Sequence, residues 1–188
     1  MTLTDEERLQ YAVAENEAKY KLCSTAHTKV NVVRSILARH RDSQTLVIGA
    51  YIDQLEELGR ELDAPVIQGS TKNKEREALF DRFRSGELQT LVVSKVANFS
   101  IDLPEASVAV QVSGTFGSRQ EEAQRLGRLL RPKSDGGQAH FYSVVSRDTL
   151  DADYAAHRQR FLAEQGYAYR ITDADDLLGP TIGEESAG

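Results

Sequence analysis

A single cysteine, Cys23, excludes an intrachain disulfide and any site built from several thiolates. No apolar run is long enough to span a bilayer, and no signal-peptide hydrophobic region opens the chain. An intracellular, cytoplasmic protein without a membrane role is therefore expected. His27, His40, His140 and His157 show no ligand spacing, so no metal site is expected and each reads as a surface or structural histidine. No Gly-x-x-x-x-Gly-Lys-Ser/Thr stretch is present, and no acid closes a hydrophobic strand. The usual devices for cradling nucleotide phosphates and holding their Mg2+ are thus absent from these 188 residues. Positive charge is in short supply too. The net charge is −6, which argues against strong autonomous binding to nucleic acid. From Ile171 onward Asp173, Asp175, Asp176, Glu184 and Glu185 stand with no Lys or Arg, and without that segment the net charge goes from −6 to −1. The body is nearly neutral, so any nucleic-acid contact would be local and modest.

What is present is an alternation of helical and strand patterns. Thr4-Asp-Glu-Glu reads as an N-cap followed by first-turn acids. The helix it opens is expected to run to about residue 21, burying Leu9, Ala12, Val13 and Tyr20. No strand precedes Asp5-Glu6-Glu7, so these acids do not read as Mg2+ ligands. A second helix, from about 27 to 40, carries Val30, Val33, Ile36 and Leu37 at core spacing. Short apolar runs at 45–49 and 89–94 read as buried parallel strands, and 65–68, 107–112 and 139–145 read as further strands. Helical patterns at 52–62, 72–84, 118–131 and 149–165 fall between or after them. The order implies an α/β fold, a parallel sheet with helices on both faces. The expected organisation is an N-terminal helical extension over 1–26, the α/β domain over 27–170, and an acidic, partly disordered tail over 171–188. There is no internal repeat.

In such sheets ligands collect beyond the carboxyl ends of the strands. Three informative loops fall there: Gly69-Ser70-Thr71, Ser94-Lys95-Val96, and Gly114 to Gly117. Backbone and hydroxyl donors at a helix N-terminus favour phosphate. An ordinary helix-capping turn is the competing reading of Gly69-Ser70-Thr71.

The stretch from Ser118 to Lys133 has helix periodicity, and Pro132 marks its end. Ala123, Leu126, Leu129 and Leu130 gather on one side, and Gln124, Arg125, Arg128 and Arg131 on the other. Arginines stepping by three are offset by roughly 60° and about one turn along the axis. Their guanidinium forks pair bidentately with phosphate oxygens and keep their charge. A solvated amphipathic face is the alternative. Gly127 counts against it, since glycine inside a helix costs about 1 kcal/mol relative to alanine and points to a close approach.

The pattern Gln-Arg-x-Gly-Arg-x-x-Arg, from Gln124 to Arg131, resembles motif VI of superfamily 2 helicases. With its neighbours it resembles the XPB family of DNA-repair helicases, most of all its bacterial branch. Gln68-Gly-Ser-Thr with Glu75-Arg76 is similar to the region after motif IV that touches the nucleic-acid backbone. Ser94-Lys-Val-Ala-Asn-Phe-Ser-Ile-Asp-Leu-Pro resembles motif V, with Ser-Ile-Asp-Leu-Pro where many relatives carry Gly-x-Asp.

The resemblance implies the second RecA-like motor domain of an ATP-dependent DNA helicase, inactive alone. Gln124, Arg128 and Arg131 would face the γ-phosphate, the two arginines as fingers. Asp102 would sit near the ATP ribose, and Arg125 would lie at the nucleotide or brace motif V. Gly69, Ser70, Thr71, Arg76, Ser94 and Lys95 would contact DNA. ATP and Mg2+ would be held mainly by an N-terminal RecA-like domain of the same enzyme, the chain's principal protein partner, in a nucleoid-associated setting. For Asp102 the competing role is a loop acid shaping the turn before Pro104. Two other readings of the whole chain remain: a non-catalytic RecA-like adaptor that binds a partner protein, and a helicase acting on RNA.

Overall fold

β1 (Thr45–Gly49) is buried at all five positions and forms the middle of a parallel sheet. The sheet is seen in a computed structural model that describes residues 2–94, 106–114, 139–164 and 170–178. The other strands are β2 (Val66–Ile67), β3 (Thr90–Ser94), β4 (Val108–Gln111) and β5 (His140–Ser143), in the order β2-β3-β1-β4-β5. Thr45 through Gly49 lie opposite Thr90 through Ser94 on one side, and Thr45 through Ile48 opposite Val108 through Gln111 on the other. These strands contain apolar runs because both faces are covered. Val47, Val92, Val108 and Val110 point to one face, where they meet the helices α3 (Lys29–Arg39) and α4 (Ile52–Glu61). Leu46, Ile48, Leu91, Val93 and Ala109 point to the other and pack on Phe80 and Phe83 of α5 (Asn73–Arg84). The period-2 alternation thus feeds two cores, one on each side of the sheet.

α3, α4 and α5 lie where their periodicity places them, and Val30, Val33 and Ile36 are buried. Gly59 allows α4 to press on β2: a Cβ there would meet Val66 Cγ2 at 2.3 Å. The N-terminal region departs from expectation. Instead of one helix to residue 21 there are two, α1 (Asp5–Val13) and α2 (Asn16–Ser24), separated by the extended residues Ala14 and Glu15. The cause is tertiary. Leu3 is buried with Tyr20, Cys23 and Ala26, against Leu150 and Tyr154. A straight helix would separate Leu3 from Tyr20 by about 25 Å, so the chain folds back. As a result Leu9 and Val13 are 73% and 87% exposed, and Ala12 is exposed as well. The expected start holds: Thr4 and Glu7 form a reciprocal capping box, at 3.2 and 2.7 Å.

The long helix α6 (Leu150–Glu164) receives this N-terminal pair, with Tyr20 and Tyr154 in an edge contact at 5.0 Å. The acidic C-terminal segment contains a short helix, α7 (Asp175–Leu178), near α3. Ala174 and Leu177 join the α3–α4 core there. Among the described residues no helix is long and apolar enough to cross a membrane.

Candidate functional site

All five strands are parallel, so they release the chain on a single edge. The chain leaves β1 toward β2 on one flank and β4 toward β5 on the other. The order therefore reverses between β1 and β4, the place where such sheets bind ligands. Here the backbone is fixed tightly. Ala50 N–H donates to Ser113 Oγ at 2.8 Å, tying the loop after β1 to the loop after β4. Gly49 makes room for this tie, since a Cβ would lie 2.8 Å from Leu55 Cδ2, 2.9 Å from Ser113 Oγ and 3.0 Å from Val112 Cγ2. Gly49→Ala is expected to overpack the junction at a cost of about 1–3 kcal/mol. A thermal melt of the variant checks this, and an unchanged midpoint would mean the junction yields easily.

The loop after β2 is built differently. Thr71 Oγ1 accepts from Gln68 N–H at 3.0 Å, and Thr71 N–H donates to Gln68 O at 3.0 Å. Thr71 therefore closes its own loop and does not cap α5. The helix has Lys72 as its N-cap with no side-chain hydrogen bond, so its first amides lack a side-chain acceptor. Arg76 is buried and donates to Thr71 O at 3.1 Å and Gln68 O at 3.5 Å. It supports the loop from beneath. Gly69 and Ser70 stand exposed at its tip. Ser94 ends β3 in register with Gly49 and is buried.

A feature without a local sequence signal lies after β4 and β5. Lys29 and Asp151 are each 1% exposed and pair at 2.7 Å. Lys29 Nζ also donates to Val112 O at 2.7 Å and Val144 O at 2.9 Å. Asp151 Oδ2 accepts from Ser146 N–H at 3.1 Å, while Ser146 Oγ donates to Cys23 O at 2.6 Å. Tyr11 OH accepts from Leu150 N–H at 3.0 Å, at the start of α6. Burial pushes the Cys23 thiol up, which keeps it protonated and inert. Burial is also the chief reason the half-buried Tyr51 hydroxyl is pushed up to about 12, with Tyr20 and Cys23 as further causes. Lys29 and Asp151 are 122 residues apart, and no local periodicity links them.

Of the predicted site residues, Gly69, Ser70, Thr71, Arg76 and Ser94 fall on this edge. Lys95, Asp102, Gln124, Arg125, Arg128 and Arg131 lie outside the described residues. Among the described residues no group of three or more His, Cys, Asp or Glu could hold a metal ion.

The architecture has counterparts of known structure. The C-terminal domain of the DEAD-box protein Dbp5 superposes with a TM-score of 0.59 at 17% identity, over 73% of this chain and 81% of that one. At that identity the likeness speaks for a RecA-like fold and nothing more. The sequence goes further. The DNA 3'-5' helicase XPB of Mycobacterium tuberculosis is 78% identical over 182 residues, covering 97% of this chain and 33% of its own length. The DNA 3'-5' helicase XPB of Kineococcus radiotolerans is 70% identical, covering 95% of this chain and 32% of its own length. The chain thus spans about one third of the curated relatives it matches. The match to the ERCC3/RAD25/XPB C-terminal helicase family runs over residues 2–179, and with the RecA-like sheet beneath it the chain belongs to that family.

Proposed function

We propose that the chain works as the C-terminal motor domain of an ATP-dependent DNA helicase or translocase serving DNA repair. On this reading 1–26 is a helical extension, 27–170 the motor domain and 171–188 an acidic tail. The observation that carries the proposal is the single rim after the five strands. It presents Gly69 and Ser70 on one flank and leads through Gly114 toward the arginine segment on the other. Exposed Ser70 and the uncapped amides of α5 suit a phosphate of the DNA backbone. Arg76, turned onto Gln68 and Thr71, holds that loop in shape. Ser94 ends β3 at the same rim, and Lys95 would join it in contacting DNA.

At the nucleotide, Arg128 and Arg131 would stabilise negative charge on the γ-phosphoryl oxygens, and Gln124 would orient its surroundings. Asp102 would accept hydrogen bonds from the ribose, with Arg125 beside it. ATP with Mg2+ supplies the phosphoryl group and is held mainly by an N-terminal RecA-like domain. The chain's own work is to grip DNA, orient the nucleotide and complete the charge complement. An arginine ladder suits this better than an adaptor role, because a partner-binding remnant has no use for guanidinium groups spaced to meet phosphate.

The test is direct. The 188-residue chain with ATP, Mg2+ and single-stranded DNA is expected to release phosphate at background rate. Addition of the N-terminal motor domain should restore DNA-stimulated turnover. Robust turnover by the chain alone after stringent purification would overturn the half-motor reading.

A further inference from the structure

The buried pair beneath the rim has no part in the mechanism just described, and its composition asks for a reason. An apolar pair of similar volume would fill the space as well or better, because two buried charges lose their hydration. Lys29 does what an apolar side chain cannot. Its ammonium meets the carbonyls of Val112 and Val144, the first residues after β4 and β5, while Asp151 balances its charge. Asp151 in turn accepts from Ser146 N–H, two residues beyond Val144. The chain's departures from β4 and β5, the start of α3 and the first turn of α6 therefore meet at one nitrogen. Ser146 Oγ extends the connection to Cys23 O in α2, so the N-terminal helices are tied to it as well. One residue past Val112, Ser113 makes the bridge to Ala50 across the reversal of strand order.

We infer that Lys29 is a positioning residue for the motor: it fixes where β4 and β5 release the chain at the rim. It thereby sets the point from which the segment carrying Gln124, Arg128 and Arg131 departs. The functional half of this inference rests on the proposal that those arginines serve the nucleotide. The anchoring half does not. Guanidinium groups that stabilise a developing charge must be placed to within a fraction of an ångström, so an origin loosened at Val112 weakens them without removing them.

The informative variant is Lys29→Met combined with Asp151→Asn. It removes both charges together, so no uncompensated ion is left buried. The amide that replaces the carboxylate carries no charge, yet its oxygen can still accept from Ser146 N–H. What is lost is the donor to Val112 O and Val144 O. In the complete two-domain enzyme this variant is expected to remain folded and to lose about tenfold or more in maximal ATP turnover, with half-saturation by ATP moving less than about threefold. A merely structural role predicts a loss that follows the unfolded fraction and vanishes on cooling. In the 188-residue chain, amide hydrogen exchange at Ser113, Gly114 and Ser146 should quicken in the variant. Turnover within about twofold of wild type, or unchanged exchange at those amides, would overturn the inference. Arg128→Ala is measured alongside. If it leaves turnover intact, the arginine reading fails on its own, and the exchange data still decide whether Lys29 anchors the rim.

Discussion

Asp151→Ala is expected to lower the melting midpoint of the chain by about 10 °C, more than any substitution at its surface. The carboxylate and the Lys29 ammonium are each 1% exposed, so neither can turn to water when the other is removed. Truncating Asp151 takes away the carboxylate that meets this buried cation at 2.7 Å, and Ser146 N–H loses its acceptor. Breaking a buried pair in this way costs about 3–5 kcal/mol, against a total stability of about 5–15 kcal/mol for a domain. An exposed pair offers the control. Arg84 and Asp81 meet at 2.9 Å with their side chains 50% and 74% exposed. Asp81→Ala should shift the midpoint little, since such pairs contribute about 0–1 kcal/mol. The effects of the single variants Lys29→Met and Asp151→Asn should not add, because the two side chains form one buried ion pair. Calorimetry of the wild type, the two singles and the double measures this. An Asp151→Ala midpoint within about 2 °C of wild type would mean the pair is far better hydrated than its burial implies.

Sequence and structure agree where the physics is local. Thr45 to Gly49 reads as a strand because a strand covered on both faces must be apolar along its length, and β1 occupies those residues. α5 ends at Arg84 as its pattern predicts, with Phe80 and Phe83 turned inward. Agreement fails where tertiary packing or a loop's own backbone takes up a side chain. Leu9, Ala12 and Val13 have helical spacing, yet the space beside Tyr20 is taken by Leu3, and the fold-back that brings it there exposes them. Thr71 looks like a helix cap, but its hydroxyl is occupied by Gln68 N–H. The sequence does not show that Arg76, expected to contact DNA, also donates to two carbonyls of its own loop. Lys29 is the hardest to read. A lysine at a helix start suggests solvent, and its burial is explained by partners far along the chain, Val112 O, Val144 O and Asp151.

Replacing Arg128 or Arg131 with alanine should have the largest effect on activity. If the two guanidinium groups act as charge develops on the phosphoryl group, turnover of the complete enzyme should collapse. Arginine fingers contribute ~10^3–10^5-fold where they have been dissected, a range set by GTPases. Binding of ATP should change far less, because the interaction strengthens mainly in the transition state. Stability should be nearly untouched. On the helical spacing of the sequence the two arginines would lie opposite Leu126, Leu129 and Leu130, so truncation would remove no core volume. Lysine at either position should rescue poorly, since a point charge cannot reproduce the bidentate fork. A solvated helix face makes the opposite forecast: near-normal turnover for Arg128→Ala and Arg131→Ala, and loss of stability for Leu126→Ala. Steady-state ATPase assays with saturating DNA, paired with melts of the same variants, separate the two. Turnover within a few-fold of wild type for both arginine variants would remove the fingers from the mechanism and leave the ladder as surface.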